Sequence, residues 1–353
     1  MLRKPKSASK KRPPDRILRK MSNGRSPVPT KSLRLAVLSS GGDSPGMNAC
    51  IRAVVRSATF RGWEVFGVKR GYQGLVEGDL IPLPLRSVGN IIQRGGTILG
   101  SSRSADFRTS EGRRSAFHEL SALGISNLIV LGGDGTLKGA SLFSKEFPVR
   151  VVGIPCTIDN DIPETELALG FDSAVETAVE CVDKIRDTAD SHGRVFVIEV
   201  MGKVSGHLAL ETSLAVGAEF ALIPEKKFAL SKLVSKIRAG IDRGKKGSIV
   251  IVAEGKKPGL SQIIAEQLQK HLPTEVRHLV LGHLQRGGSP SRLDRNLGSR
   301  YGDFAVELLS LKKNRVVTVW RNGGLGYVDF AKIEGKRKKP ELETLSLIDR
   351  LSI

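Results

Sequence analysis

Two carboxylates, Asp159 and Asp161, stand two residues apart in the run PCTIDNDIPET, with Asn160 between them. Such a pair serves one site only where a neighbouring cation or donor relieves its repulsion. One acid then acts as a general base and the other faces a metal. The same letters also read as an Asx-rich turn. Two further segments, AVLSSGGDSPGMNA and LIVLGGDGTLKGA, share a plan of apolar strand, Gly-Gly-Asp and helix start. Adjacent glycines let backbone N–H groups approach phosphate oxygens, and the helix N-terminus adds partial positive charge. An Asp inside a phosphate loop repels its ligand unless a cation lies between them. Asp134 is therefore a candidate Mg²⁺ partner, through water. A single Gly-Gly after a strand is equally a turn; two of them at strand ends favour phosphate. Arg277, His283 and Arg286 lie within ten residues in VRHLVLGHLQR. They suit a phosphate anchor, or in isolation an ordinary basic surface.

These residues need elements to position them. From Leu33 the text alternates short apolar runs ending in Gly, Asp or Ser with longer amphipathic stretches. LRLAVLSSGGD predicts a strand and loop, MNACIRAVVRSATFRG a helix, and EVFGVKRGYQGL a strand and turn. SVGNIIQRGGTILGSSRS predicts a short helix leading into a loop. SEGRRSAFHELSALGI predicts a helix opened by a serine cap. NLIVLGGDGT and VRVVGIPCTIDND each predict a strand and loop, and DSAVETAVECVDKIRDTADSH a long helix. VFVIEVMGK, FALIPE and SIVIVAEG predict buried strands. Strand–helix alternation argues an α/β fold with largely parallel sheets. Ligands in such folds bind at the carboxyl ends of strands, where the polar clusters fall.

Charge is unevenly spread. The 56 Lys and Arg exceed the 36 Asp and Glu by 20. Residues 1–31 hold eleven of those cations and one acid, so half of the excess sits there. That stretch is rich in Pro, Ser, Lys and Arg, with no periodicity, which predicts a disordered basic tail. A transit peptide, a nucleic-acid-binding tail, or translation starting at Met21 are alternative readings of it. No apolar run reaches the ~20 residues of a membrane span. Cys50, Cys156 and Cys181 form no disulfide framework or CxxC pair, which points to a reducing, cytoplasmic compartment.

The motifs SGGDSPGMNA, GYQGL, RGGTILGSSR, GGDGT, TIDNDI, EVMGK and GHLQRGGSP, in that order, resemble the 6-phosphofructokinase family from about Leu33 to about Leu309. GGDGT alone is shared with NAD and lipid kinases; the full set is specific. The resemblance implies two similar Rossmann-like αβα domains with mostly parallel sheets and the active site in the cleft between them. It implies an ATP-binding domain over 32–170 plus about 288–333, a sugar-phosphate domain over 171–287, and a helical C-terminal segment over 334–353. It implies phosphoryl transfer from ATP to the 1-hydroxyl of fructose 6-phosphate, with Mg²⁺ as cofactor. Asp159 would be the base, Asp161 its support and Lys203 a charge stabiliser. Gly41, Tyr72, Arg103, Ser104, Arg108, Gly133, Asp134, Gly135 and Thr136 would bind ATP. Thr157, Ile158, Met201, Gly202, Lys203 and Glu254 would line the sugar. Arg194, Arg277, His283 and Arg286 would grip its 6-phosphate, the first two from a neighbouring subunit of a homotetramer.

The resemblance also bears on the donor. Family members that use pyrophosphate carry Asp in place of Gly135 and Lys in place of Cys156. Gly135 leaves room for a nucleotide, and Cys156 supports ATP by the absence of a lysine. Lys203 departs from the usual arginine, and the two cations are not equivalent beside a phosphoryl group. Arg52, Arg56, Arg186, Glu219, Arg243 and Lys245 match the family's effector pocket, but Leu85 stands where that pocket has an arginine. Pyrophosphate dependence, a GGDGT-type NAD or lipid kinase, and a catalytically silent or nucleic-acid-associated regulator are the competing readings.

Overall fold

The computed structural model describes residues 33–255 and 258–352. The expectations for the tail, residues 1–31, fall outside the described residues. The chain opens with β1 (Arg34–Ser39), α1 (Met47–Phe60), β2 (Glu64–Val68), α2 (Gly71–Glu77), β3 (Leu80–Pro82) and α3 (Ser110–Ala122). It continues through β4 (Asn127–Gly132), α4 (Asp134–Glu146), β5 (Arg150–Pro155), α5 (Phe171–His192), β6 (Val195–Val200) and α6 (His207–Ala215). Then come β7 (Phe220–Leu222), α7 (Leu230–Asp242), β8 (Ser248–Ala253), α8 (Leu260–Gln269) and β9 (Val276–Val280). The last elements are α9 (Arg292–Ser310), β10 (Val316–Arg321), β11 (Gly324–Asp329), α10 (Phe330–Ile333) and α11 (Glu343–Leu351).

Two sheets result. The first runs β11-β10-β5-β4-β1-β2-β3 and the second β7-β8-β6-β9. All pairings are parallel except the flanking ones, β2 with β3 and β10 with β11. Helices cover both faces, so the central strands are apolar throughout rather than alternating. Leu35, Val37, Ile129 and Leu131 pack on one side of the first sheet, and Ala36, Leu38, Leu128 and Val130 on the other. In β6 the split is Phe196, Ile198 and Val200 against Val195 and Val197. The fold is an α/β pair of Rossmann-like layers, as the strand–helix alternation predicts.

Several local expectations are corrected. The cap of α3 is Thr109, whose Oγ1 accepts the Gly112 N–H at 3.0 Å; Ser110 is already helical. GYQGL forms the helix α2 rather than a turn, entered through Arg70 in the left-handed region (φ 56°). The short helix expected in SVGNIIQRGG does not form; a 3-10 turn, Leu85–Val88, overlaps only its first two residues. The hairpin β10–β11, which the sequence reading did not anticipate, turns at Asn322-Gly323, both at positive φ as a tight hairpin turn requires. On α9, a Cβ at Gly302 would stand 2.6 Å from the Cys50 carbonyl, so only glycine lets α9 lie this close to α1. No helix among the described residues is long and apolar enough to cross a membrane.

Candidate active site

A cleft of about 710 Å³ opens at the carboxyl ends of the strands. After β1 come Ser40, Gly41, Gly42 and Asp43; after β4, Gly133 to Thr136; after β5, Cys156 to Asp159 and Asp161. Lys203, from the turn after β6, and Arg286, from the segment after β9, reach it from the second sheet. Arg103, Ser104, Arg108 and Tyr72 complete the set of expected residues that line it. The two Gly-Gly-Asp loops thus share one cavity with the acidic loop.

The loops lock onto each other. Thr136 Oγ1 donates to the Ser40 carbonyl at 2.9 Å, and Ser101 Oγ to that of Gly41 at 2.7 Å. Gly41 has φ 89°, a conformation that disfavours any side chain. Tyr72 donates its hydroxyl to the Thr136 carbonyl at 2.7 Å and stacks on Phe107, with ring centroids 3.9 Å apart. Burial pushes its phenol well above the usual range. Ser104 Oγ accepts the Phe107 N–H at 3.1 Å, so its side chain shapes the loop. Asp134 opens α4 and is exposed to the cleft. A Cβ on Gly135 would meet nothing within 4 Å, so the loop's crest faces open space.

The acidic loop is held more tightly. Asp159 is 6% exposed. Its N–H donates to Thr157 Oγ1 at 3.2 Å, and its carbonyl accepts Ser205 Oγ at 3.0 Å. Lys203 Nζ stands 3.5 Å from Asp159 Oδ2. Asn160 (φ 48°) turns away: its amide donates to the Glu166 carbonyl and accepts the Ala168 N–H, which fixes the loop. Burial raises the Asp161 carboxyl above its usual range, and the nearby charge of Asp159 adds to this; Arg337 opposes it. Ile158 is buried in the core beneath the second sheet. Cys156 is buried too, and that burial pushes its thiol up, which disfavours the thiolate form.

The turn after β6 delivers Lys203. Gly202 has φ 130°, and a Cβ there would lie 2.5 Å from the Ser205 carbonyl. Lys203 itself has φ 51° and donates its N–H to Glu254 Oε1 at 3.1 Å. Burial raises the Glu254 carboxyl. Met201 is buried, with its N–H on Gln285 Oε1 at 2.8 Å. Met201, Gly202 and Glu254 adjoin cleft-lining Lys203 but are not themselves among the residues that line the cleft. His283 is exposed on a 3-10 turn, Gly282–Arg286, and does not line the cleft.

Arg194 and Arg277 are elsewhere. Both bind Glu275, at the amino ends of β6 and β9. A six-residue strand spans roughly 20 Å, so they sit at the opposite end of the sheet from Lys203. Within one chain they do not meet the cleft.

Other lining residues escaped the sequence reading. Arg113, in the first turn of α3, is 5% exposed, pairs with Glu146 and donates to the carbonyls of Phe107 and Arg108. Nothing local marks it as buried. Lys138 and Arg337 also line the cleft. In all, seven Arg or Lys face it against four Asp. Arg113, Lys203 and Arg286 have acidic partners. Among the described residues the side chains of Arg103, Arg108, Lys138 and Arg337 form no ion pair, although Arg337 is near enough to Asp161 to act on its carboxyl, so their charge is open to solvent or to an anionic ligand.

The phosphofructokinase family model matches residues 34–309. An ATP-dependent 6-phosphofructokinase of Staphylococcus carnosus is 50% identical over 91% of this chain and 99% of its own. The phosphofructokinase structure of Saccharomyces cerevisiae aligns with TM-score 0.82 at 32% identity over 86% of this chain. This chain spans 44% of that yeast chain's length. A pyrophosphate-dependent phosphofructokinase from Marinobacter aquaeolei shares the fold (TM-score 0.79) at 22% identity, over 88% of this chain and 86% of its own. With two glycine loops, an acidic loop and a cationic cleft at the strand ends, the chain belongs to the phosphofructokinase family.

Proposed function

We propose that the chain is an ATP-dependent 6-phosphofructokinase, moving the γ-phosphoryl of ATP to the 1-hydroxyl of fructose 6-phosphate and releasing ADP and fructose 1,6-bisphosphate. The observation that carries the reading is the Asp159–Lys203 pair facing the same cleft as the Gly133–Thr136 loop. Asp159 accepts the proton of the attacking hydroxyl. Its backbone, held by Thr157 and Ser205, fixes the carboxylate's direction. Lys203 offsets the charge that develops on the phosphoryl oxygens. Arg103 and Arg108, free of acidic partners, meet the donor phosphates. Such a reaction asks the protein mainly for position and neutralisation.

Asp134, exposed in the cleft, would hold Mg²⁺ as a single carboxylate, since the described residues offer no cluster of three or more His, Cys, Asp or Glu that would form a cage on their own. When bound, the ion neutralises donor phosphate charge. The open crest at Gly135 favours a nucleotide donor. The first sheet and its loops hold the donor; the second supplies the sugar side. Arg194 and Arg277, remote from their own cleft, serve a neighbouring subunit's 6-phosphate, which calls for a homotetramer of paired dimers.

Incubating the protein with Mg-ATP and fructose 6-phosphate and resolving products by phosphorus NMR tests the reading. ADP and the 1,6-bisphosphate appearing together support it. Hydrolysis of ATP without the bisphosphate, or no reaction, contradicts it.

A further inference from the structure

The segment between α10 and α11 crosses the acidic loop. Lys338 donates its N–H to the Asp161 carbonyl at 3.0 Å and its Nζ to the Glu166 carbonyl at 2.6 Å. On its other side, the Lys338 carbonyl meets His207 Nε2 of α6 at 3.4 Å. Beyond the strap, α11 is pinned to the second half: Ile348 is buried in its core, and Asp349 pairs with Lys236 and Lys232. On the N-terminal side of residue 337, the Lys336 N–H donates to the carbonyl of buried Ile333 at 3.3 Å, so the backbone is held on both sides. The Arg337 side chain is not: it is exposed, lines the cleft, and has no hydrogen bond or ion pair among the described residues.

We propose that Arg337 is a donor-binding residue that contacts the polyphosphate of the substrate from the acidic-loop side of the cleft. This rests on the reading of the cleft as a phosphoryl-transfer site. A guanidinium offers five donors in a planar fork suited to phosphate oxygens. Arg337 lines the cleft with Asp134 and Asp161, and lies close enough to Asp161 for its charge to oppose the rise of that carboxyl, so a cation stands beside the carboxylates where a polyphosphate would otherwise be repelled. Arg103 and Arg108 come from the segment between β3 and α3, and Lys138 from α4. Arg337 comes from the C-terminal strap, so it adds a cation carried by a separate part of the chain. The contact also gives the strap a role in substrate binding beyond joining two helices.

The test compares the full chain with R337A, R337K and K332A, the last altering an exposed lysine of α10 outside the cleft lining. Steady-state KM values for ATP and fructose 6-phosphate are read beside calorimetric Kd for Mg-ADP. R337A is expected to raise the ATP KM and the Mg-ADP Kd about tenfold, the loss of one charge-assisted hydrogen bond. The fructose 6-phosphate KM should stay within about twofold, R337K should recover part of the loss, and K332A should match the parent. Unchanged ATP KM and Mg-ADP Kd, or a rise confined to the sugar phosphate, overturns the proposal. If R337A does not fold, R337Q and R337K are judged by the same criteria. If the parent uses pyrophosphate instead of ATP, the proposed function fails, and Arg337 is then judged on the pyrophosphate KM by the same tenfold criterion.

Discussion

Lys203 Nζ and Asp159 Oδ2 stand 3.5 Å apart, one carried by the turn after β6 and the other by the loop after β5. The lysine is more than half exposed, so the pair contributes only ~0–1 kcal/mol to folding. Its value lies in the reaction. Lys203→Met should cut kcat by about 10²-fold, as loss of a charge stabiliser does, and leave the melting temperature within about 2 °C. Asp159→Asn should cut kcat by ~10²–10⁴-fold at nearly constant KM. Steady-state kinetics with thermal melts check both; equal loss of activity and stability would mean the pair is structural.

Arg286 lies over the first phosphate loop, where a Cβ on Gly42 would collide with its Nη1. Gly42 has no positive φ, so alanine fits the backbone and only the guanidinium must move. Gly42→Ala should therefore fold and reproduce the kinetic defect of Arg286→Ala. The double variant should be no worse than either single one. A double-mutant cycle with coupling below about 0.5 kcal/mol would show that the two residues act independently.

Gly135→Asp tests donor choice from the protein side. Its Cβ meets nothing, so stability should be nearly unchanged, within about 0.5 kcal/mol. The added carboxylate faces the donor phosphates, so the ATP KM should rise by about tenfold or more. An unchanged ATP KM would place the nucleotide elsewhere.

Much of this site was legible. Gly41, Gly133–Thr136 and Asp159 carry their chemistry in local letters, because phosphate loops need glycine and a base needs a carboxylate. Other features depend on long-range packing. Arg113 looks like any surface arginine until Glu146, thirty-three residues later, is placed beside it. Arg337 stands in KRKKP, which reads as a solvated basic run until the strap is laid against Asp161. Arg277 reads locally as a member of one phosphate cluster with His283 and Arg286; strand direction is what separates it from Arg286, and places it beside Arg194 on Glu275. The α2 helix was hidden by its glycines, which lower helix propensity but permit its left-handed entry.

His207 makes the strap pH-sensitive. Burial is the main cause and Lys338 a second, together holding its imidazole down at about 4, below the usual 6.5. A depressed base leaves the unfolded chain binding more protons between those values, so stability is complete above pH 6.5 and falls as pH drops toward 4. The loss should approach about 2–3 kcal/mol near pH 4. His207→Gln should flatten this part of the profile in urea titrations across pH 4–7. A parallel slope in parent and variant would assign the dependence to other groups.

The most direct test of the whole account is a side-by-side rate measurement on fructose 6-phosphate with Mg-ATP and with Mg-pyrophosphate. A rate with ATP exceeding that with pyrophosphate by at least about 10²-fold is the predicted result. Comparable rates, or faster turnover with pyrophosphate, would contradict it.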